Sequence, residues 1–161
     1  MKKNVLAVVL FWGLFSFYSC DPVNEAAAPA TPNQQELLRL VNEARSAGCN
    51  CGGIAYPAVP AVTWNTLLEN AAQGHSNHMN TTKHLSHTGS NGSSAGDRIT
   101  AAGYNWTVYT ENIASGYTSE EDVIQGWLAS PGHCKNIMNA NVTEMGVATA
   151  DSYWTQVFAG Q

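Results

Sequence analysis

Apolar positions in this chain fall into a few runs, each with helical or alternating spacing. Leu37, Leu38, Leu40, Val41 and Ala44 make a one-sided stripe, the three-and-four spacing of an amphipathic helix. Thr31-Pro32-Asn33-Gln34 reads as its start: Thr31 as N-cap, Pro32 at the first helical position and Gln34 completing a capping box. Gly48 and the Gly52-Gly53 pair end it. Residues 56–63, with Pro57 and Pro60, read as an extended connector, because each Pro lacks an amide donor and restricts its predecessor. A second helix begins at Asn65. Its apolar positions Leu68, Ala71, Ala72 and Met79 share a face with His75, so His75 points inward and is expected to be a satisfied core residue.

Residues 85–96 are rich in Ser, Gly, Asn and Thr and predict a loop. A short helix over 97–102 ends at Gly103, suited to a left-handed C′ position. Residues 106–109 alternate β-prone types and predict a strand. Ser119-Glu120-Glu121-Asp122 opens another helix bearing Val123, Ile124, Trp127 and Leu128, which Pro131-Gly132 stops. Segments 144–150 and 153–159, separated by Asp151-Ser152, predict a closing hairpin. Helices come early and strands late, so the expected class is α+β, with helices packed on a small antiparallel sheet.

The N-terminus changes the picture of where this domain works. Lys2 and Lys3 precede an apolar run from Val5 to Phe17, shorter than the roughly 20 residues that span a bilayer and ordered like an export signal. Residues 1–19 are therefore read as a signal peptide, 20–32 as an Ala- and Pro-containing tether and 33–161 as the domain. Ser19-Cys20 resembles a bacterial lipobox, in which Cys20 becomes acylated and holds the protein on a membrane; ordinary cleavage and free secretion is the alternative. Either route leads to an extracytoplasmic, oxidising compartment. With Cys20 removed or acylated, Cys49, Cys51 and Cys134 remain. A bridge between residues two apart is awkward, so Cys49 or Cys51 is expected to pair with Cys134.

Composition excludes several partners. Charged residues are only 12% of the chain, and seven Lys and Arg face twelve Asp and Glu, a formal charge of −5. Too little positive charge is present to neutralise a phosphate backbone, so nucleic acid is not an expected partner. There is no HExxH, phosphate loop, CxxC or EF-hand loop. Gly92-Ser93-Ser94-Ala95-Gly96 fits G-x-S-x-G, but a polar loop precedes it where a nucleophile elbow needs a strand. What remains are His84, His87, Glu111 and His133 in polar or Gly-rich segments, with His75 and His78 on the helix before. Imidazole and carboxylate suit zinc and related divalent ions.

The runs Val41-Asn42-Glu43-Ala44-Arg45, Ala71-Ala72 with His75-Ser76, and Leu85-Ser86-His87-Thr88-Gly89 resemble bacterial members of the CAP superfamily: cysteine-rich secretory proteins, antigen 5 and pathogenesis-related 1 proteins. Thr110-Glu111-Asn112-Ile113-Ala114 resembles that family's Gly-Glu-Asn-Ile-Ala segment. Trp127-Leu128-Ala129-Ser130-Pro131-Gly132-His133, with Asn136-Ile137-Met138, resembles its Trp-x-x-Ser-Pro-Gly-His signature. The resemblance implies a three-layer α-β-α sandwich. It also implies a cleft tetrad of two His and two Glu, which maps onto His87, Glu111 and His133. The second Glu falls at Ser130, so a site of His87, Glu111 and His133 plus water is what carries over, and three ligands with an open position suffice for zinc. The expected function is that of a monomeric binding module for a metal ion, lipid, sterol, glycan or protein ligand. The alternative is a metal-dependent envelope hydrolase in which Glu111 acts as general base beside His87 and His133.

Overall fold

The computed structural model describes residues 33–161; the signal, the tether and Cys20 lie outside them. Helix α1 (Gln34–Ala47) is followed by a small hairpin of β1 (Cys49–Cys51) and β2 (Ile54–Tyr56). Then come β3 (Thr63–Trp64), α2 (Thr66–Thr82), α3 (Ala95–Ala101), β4 (Val108–Ser115), α4 (Glu120–Ala129), α5 (Pro131–Ile137), β5 (Glu144–Ala150) and β6 (Tyr153–Gly160). The main sheet runs β3-β5-β6-β4. Its β4-β6 and β5-β6 pairs are antiparallel as expected, while the two-residue β3 adds a parallel pairing with β5.

Three layers result. On one face Leu68, Ala72, Ile99 and Tyr104 pack on Ala148, Val157 and Ala159, so α2 and α3 cover that side. On the other, Leu37, Val41, Ile124, Trp127 and Ile137 from α1, α4 and α5 pack on Met145, Trp154 and Phe158. The helix-bearing faces are those the spacing predicts: Leu68, Ala71, Ala72, His75 and Met79 are all buried along α2. No helix among the described residues is long and apolar enough to cross a membrane.

Element ends follow local chemistry. Asn33 is the N-cap of α1, its side chain accepting from the amides of Gln35 and Glu36, which replaces the expected start at Thr31. Asn65 and Ser119 cap α2 and α4 as read from the sequence. Ser94 and Asp97 form a capping box that starts α3 two residues earlier than expected. Pro131 does stop α4, but it also opens α5, since a Pro at the first helical position gives up no hydrogen bond. Gly52 and Gly53, at φ +65° and +94°, form the β1-β2 turn rather than a helix end.

Long-range polar ties close the fold around the sheet. Asn42 exchanges two hydrogen bonds with the backbone of Val62. The buried Arg45 donates to the carbonyls of Pro60, Ile137, Asn139 and Val142, tying α1 to the end of α5. Cys51 and Cys134 form a disulfide with their Cα atoms 5.5 Å apart, which leaves Cys49 as the free thiol among the described residues.

Candidate functional site

Glu111 lies on β4, the edge strand of the main sheet, and not in a polar loop. Its carboxylate is almost wholly buried, 4% exposed, and both oxygens are engaged. His87 Nδ1 lies 2.8 Å from Oε1; a carboxylate only accepts, so Nδ1 carries the proton and Nε2 is the open nitrogen. Arg98 Nη2 donates to Oε2 at 2.5 Å. The His87 side chain itself is 58% exposed. The structure thus brings His87 and Glu111, 24 residues apart, into direct contact.

His133 enters from α5, and an amide network fixes it there. Asn112 Nδ2 donates to the His133 carbonyl and to Gln156 Oε1. Asn136 Nδ2 donates to Asn112 Oδ1 and to the carbonyl of Glu111. The start of α5 is thereby docked on the backbone of β4 at the residue that bears the carboxylate. Burial first, and the charge of His87 second, hold the His133 pKa below its ordinary value, which favours a neutral imidazole at pH 7. Ser130 is the N-cap position of α5, and its side chain makes no capping bond.

The other histidines divide. His84 is exposed beyond the end of α2. His75 is 1% exposed. Its Nε2–H donates to the Ser86 carbonyl at 2.8 Å, pinning the chain one residue before His87, while its Nδ1 has no partner. Burial drives its pKa below 6.5 against a smaller opposing pull from Glu111. The expectation of a core histidine therefore holds, with one ring nitrogen unsatisfied. His78 stacks on it, ring centroids 6.2 Å apart. A cavity of about 350 Å³ opens beside them, lined by Asn70, His75, His78, Ser90, Ser93 and Arg98 among others. It shares Arg98 with the cluster but is not lined by His87, Glu111 or His133.

Zinc chemistry was the expectation for this cluster, and the residues do not fit it as arranged. Among the described residues no three His, Cys, Asp or Glu side chains stand where they can jointly hold a metal ion. Each Glu111 oxygen already accepts one hydrogen bond, Oε1 from His87 and Oε2 from the Arg98 guanidinium, whose positive charge balances the carboxylate. Arg98, Asn112 and Asn136 are the residues that reading the sequence for chemistry left out. Asn112 and Asn136 stood inside motifs, whereas nothing in Gly96-Asp97-Arg98-Ile99 marks Arg98 as different from a solvated helix charge.

Comparison with known proteins follows the same lines. Residues 38–158 match the model of the cysteine-rich secretory protein family, CAP. The uncharacterized protein YkwD of Bacillus subtilis (strain 168) is 34% identical over 96 residues, 58% of this chain and 37% of that protein. The uncharacterized membrane protein YlbC of the same organism is 30% identical over 128 residues, 80% of this chain and 34% of that protein. The chain therefore spans roughly a third of the length of these curated relatives. The crystal structure of an extracellular protein containing an SCP domain from Bacillus anthracis str. Ames matches with a TM-score of 0.71 and 30% identity, over 80% of this chain and 40% of that one.

Proposed function

Because the chain belongs to the cysteine-rich secretory protein family, we propose that it is an extracytoplasmic binding domain that takes a polar ligand, a glycan or a peptide, at the cleft of His87, Glu111, Ser130 and His133. The observation that carries this reading is the state of Glu111. With one oxygen on Arg98 and the other on His87, no free carboxylate stands ready as general base. Among the described residues, no serine, threonine or cysteine side chain is hydrogen-bonded to a histidine ring either, so an activated nucleophile is missing. What the cluster offers is an exposed imidazole, a neutral second imidazole and a half-exposed Ser130, groups suited to hydroxyls and carbonyls. The adjoining cavity of about 350 Å³ is at the small end of ligand sites and would take one ring or side chain of a larger ligand.

The extracytoplasmic placement is supported by the disulfide and by the extracellular relative from Bacillus anthracis. Anchoring through Cys20 belongs to the same reading. The intact mass of the exported protein is expected to carry a diacylated Cys20, and an unmodified N-terminus elsewhere would replace anchoring by secretion.

Hydrolysis is the second reading, favoured by one contact: Glu111 holds Nδ1–H of His87 and leaves Nε2 facing outward to take a proton from water. The base would then be His87 rather than Glu111. Calorimetric titration with soluble peptidoglycan fragments and with casein peptides separates the two. Saturable heat that is lost in His87→Ala/His133→Ala supports binding, and no heat from either probe rejects it. Turnover of peptidoglycan or casein that His87→Gln abolishes would put hydrolysis in its place.

A further inference from the structure

Helix α2 carries a glycine that packing does not explain. In α4, Gly126 is needed because a Cβ there would strike the Tyr117 ring, with Cζ at 2.6 Å. Gly74 lies in the middle of α2 without a positive φ, and nothing beyond its own stretch of helix comes within 4 Å of where its Cβ would stand. Glycine weakens a helix interior relative to alanine, so its presence asks for a reason. Gly74 lines the cavity of about 350 Å³ between α2 and α3, at the centre of the α2 residues that do so, one turn from Asn70, Ala71 and His78. A side chain at 74 would fill that space. An independent feature of the same wall is His75. It is 1% exposed, its Nε2–H is given to the Ser86 carbonyl, and its Nδ1 is a buried acceptor without a partner. Buried polar atoms are rarely left unpaired, because the loss of hydration is then uncompensated.

The wall selects a ligand class. Arg98 is the only Lys, Arg, Asp or Glu that lines the cavity, and its guanidinium is already bonded to Glu111 Oε2 and to the carbonyls of His87 and Ser93. An anionic ligand would therefore meet no unbalanced cation. Asn70 and Ser90 are exposed and Ser93 is half-buried, an amide and two hydroxyls suited to ligand hydroxyls. Ala71, Gly74 and Ala101 keep the helix surfaces low between them. A sugar ring matches both features, with hydroxyls at its edge and C–H groups on its flat side, and a cavity of this size takes about one ring. We propose that this cavity is a second binding site, for a neutral saccharide ring that lies on the bare α2 backbone at Gly74 and bonds through its hydroxyls to Asn70, Ser90 and Ser93. One hydroxyl donates to His75 Nδ1 once the half-buried His78 ring, stacked on His75, turns aside. None of His87, Glu111, Ser130 and His133 lines the cavity, so the proposal does not rest on the cluster reading and survives its failure.

Sugar binding by the exported chain tests it, followed by NMR of the backbone amides and the histidine rings. The probes are the methyl glycosides of glucose, galactose, mannose and N-acetylglucosamine, with glycerol and methyl glucuronide as controls. At least one neutral glycoside is expected to shift the Gly74 amide and His75 Nδ1 saturably at millimolar concentration, while glycerol shifts neither. Gly74→Leu, whose side chain occupies the cavity, should fold with a Tm no lower than that of the parent and lose the saturable shift at His75. His87→Ala/His133→Ala should bind the glycoside as the parent does. Absence of a saturable shift from all four neutral glycosides overturns the proposal, as do equal shifts from glycerol, methyl glucuronide bound as tightly as the best neutral probe, or undiminished binding by a folded Gly74→Leu. Binding lost in the double histidine variant but kept in Gly74→Leu would put the ring at the cluster instead and equally refute it. Where Gly74→Leu does not fold, Ser90→Phe at the exposed rim serves as the blocking variant, and retained binding there counts against the site.

Discussion

Two imidazoles in this domain are held without charge by their surroundings, and that sets the direction of its acid response. Burial keeps His75 and His133 below 6.5, with His87 adding to the effect on His133. In the unfolded chain both titrate near pH 6.5. As pH falls through that value the unfolded state binds protons that the native state refuses, so stability is complete above about pH 6.5 and is lost as pH drops through the lower native values. Thermal unfolding should therefore give a Tm that is flat above neutrality and declines from about pH 6.5 downward, before most carboxylates titrate. His133→Gln should flatten part of that decline; a variant curve running parallel to that of the parent would show that His133 is not the cause. His75 was legible as an inward residue because a helix repeats its faces every three to four positions, and spacing sees that. Arg98 was not, because what distinguishes it is a carboxylate thirteen residues away on an edge strand, and no local pattern carries that pairing.

At the scale of elements, close approach of backbone matters more than pattern. Helix α2 lies directly on β5 at Gly146, where a Cβ would overlap the Leu68 carbonyl carbon and the Glu69 amide, with Glu69 Cα at 2.7 Å. The obstacle is main chain, which cannot rotate aside. Gly146→Ala is expected to push α2 off the sheet and cost at least about 1–3 kcal/mol in urea unfolding, the range for overpacked interiors; an unchanged midpoint would mean that the helix sits farther out. The major helices and the closing hairpin were readable because their apolar periodicity is long enough to outvote local exceptions. The short elements were not. A glycine pair ends a helix or turns a hairpin, a proline stops one helix or starts the next, and α5 and the β1-β2 hairpin fell on the wrong side of those ambiguities. Strand β4 begins and ends later than its β-prone residues suggest, because Glu111 and Asn112 are polar residues buried by partners distant in sequence. The three-layer arrangement and the pairing of His87 with Glu111 came from resemblance of motifs, and not from periodicity.

Across the whole molecule the disulfide ties the small hairpin to the site. Cys51 and Cys134 are 83 residues apart, and the loop they close contains α2, α3, β4 and α4. Constraining a loop of that size in the unfolded chain is worth about 4.5 kcal/mol in the chain-entropy model, a large share of the 5–15 kcal/mol typical of a domain. Cys49 is poorly placed to compete for Cys134, since burial raises its pKa and so lowers the thiolate fraction that exchange requires. Cys51→Ser/Cys134→Ser should accordingly lower Tm sharply, and a reductant should lower the Tm of the parent while leaving that of the double variant unchanged; a parent insensitive to reduction would mean that the bridge carries no stability. The loss should also be uneven across the cluster. Cys134 follows His133 directly, so the bridge restrains the start of α5, whereas Arg98 and β4 hold His87 and Glu111 without it. Imidazole NMR signals of the reduced but still folded protein should therefore shift for His133 and remain in place for His87, and movement of both would mean that the cluster opens as one unit.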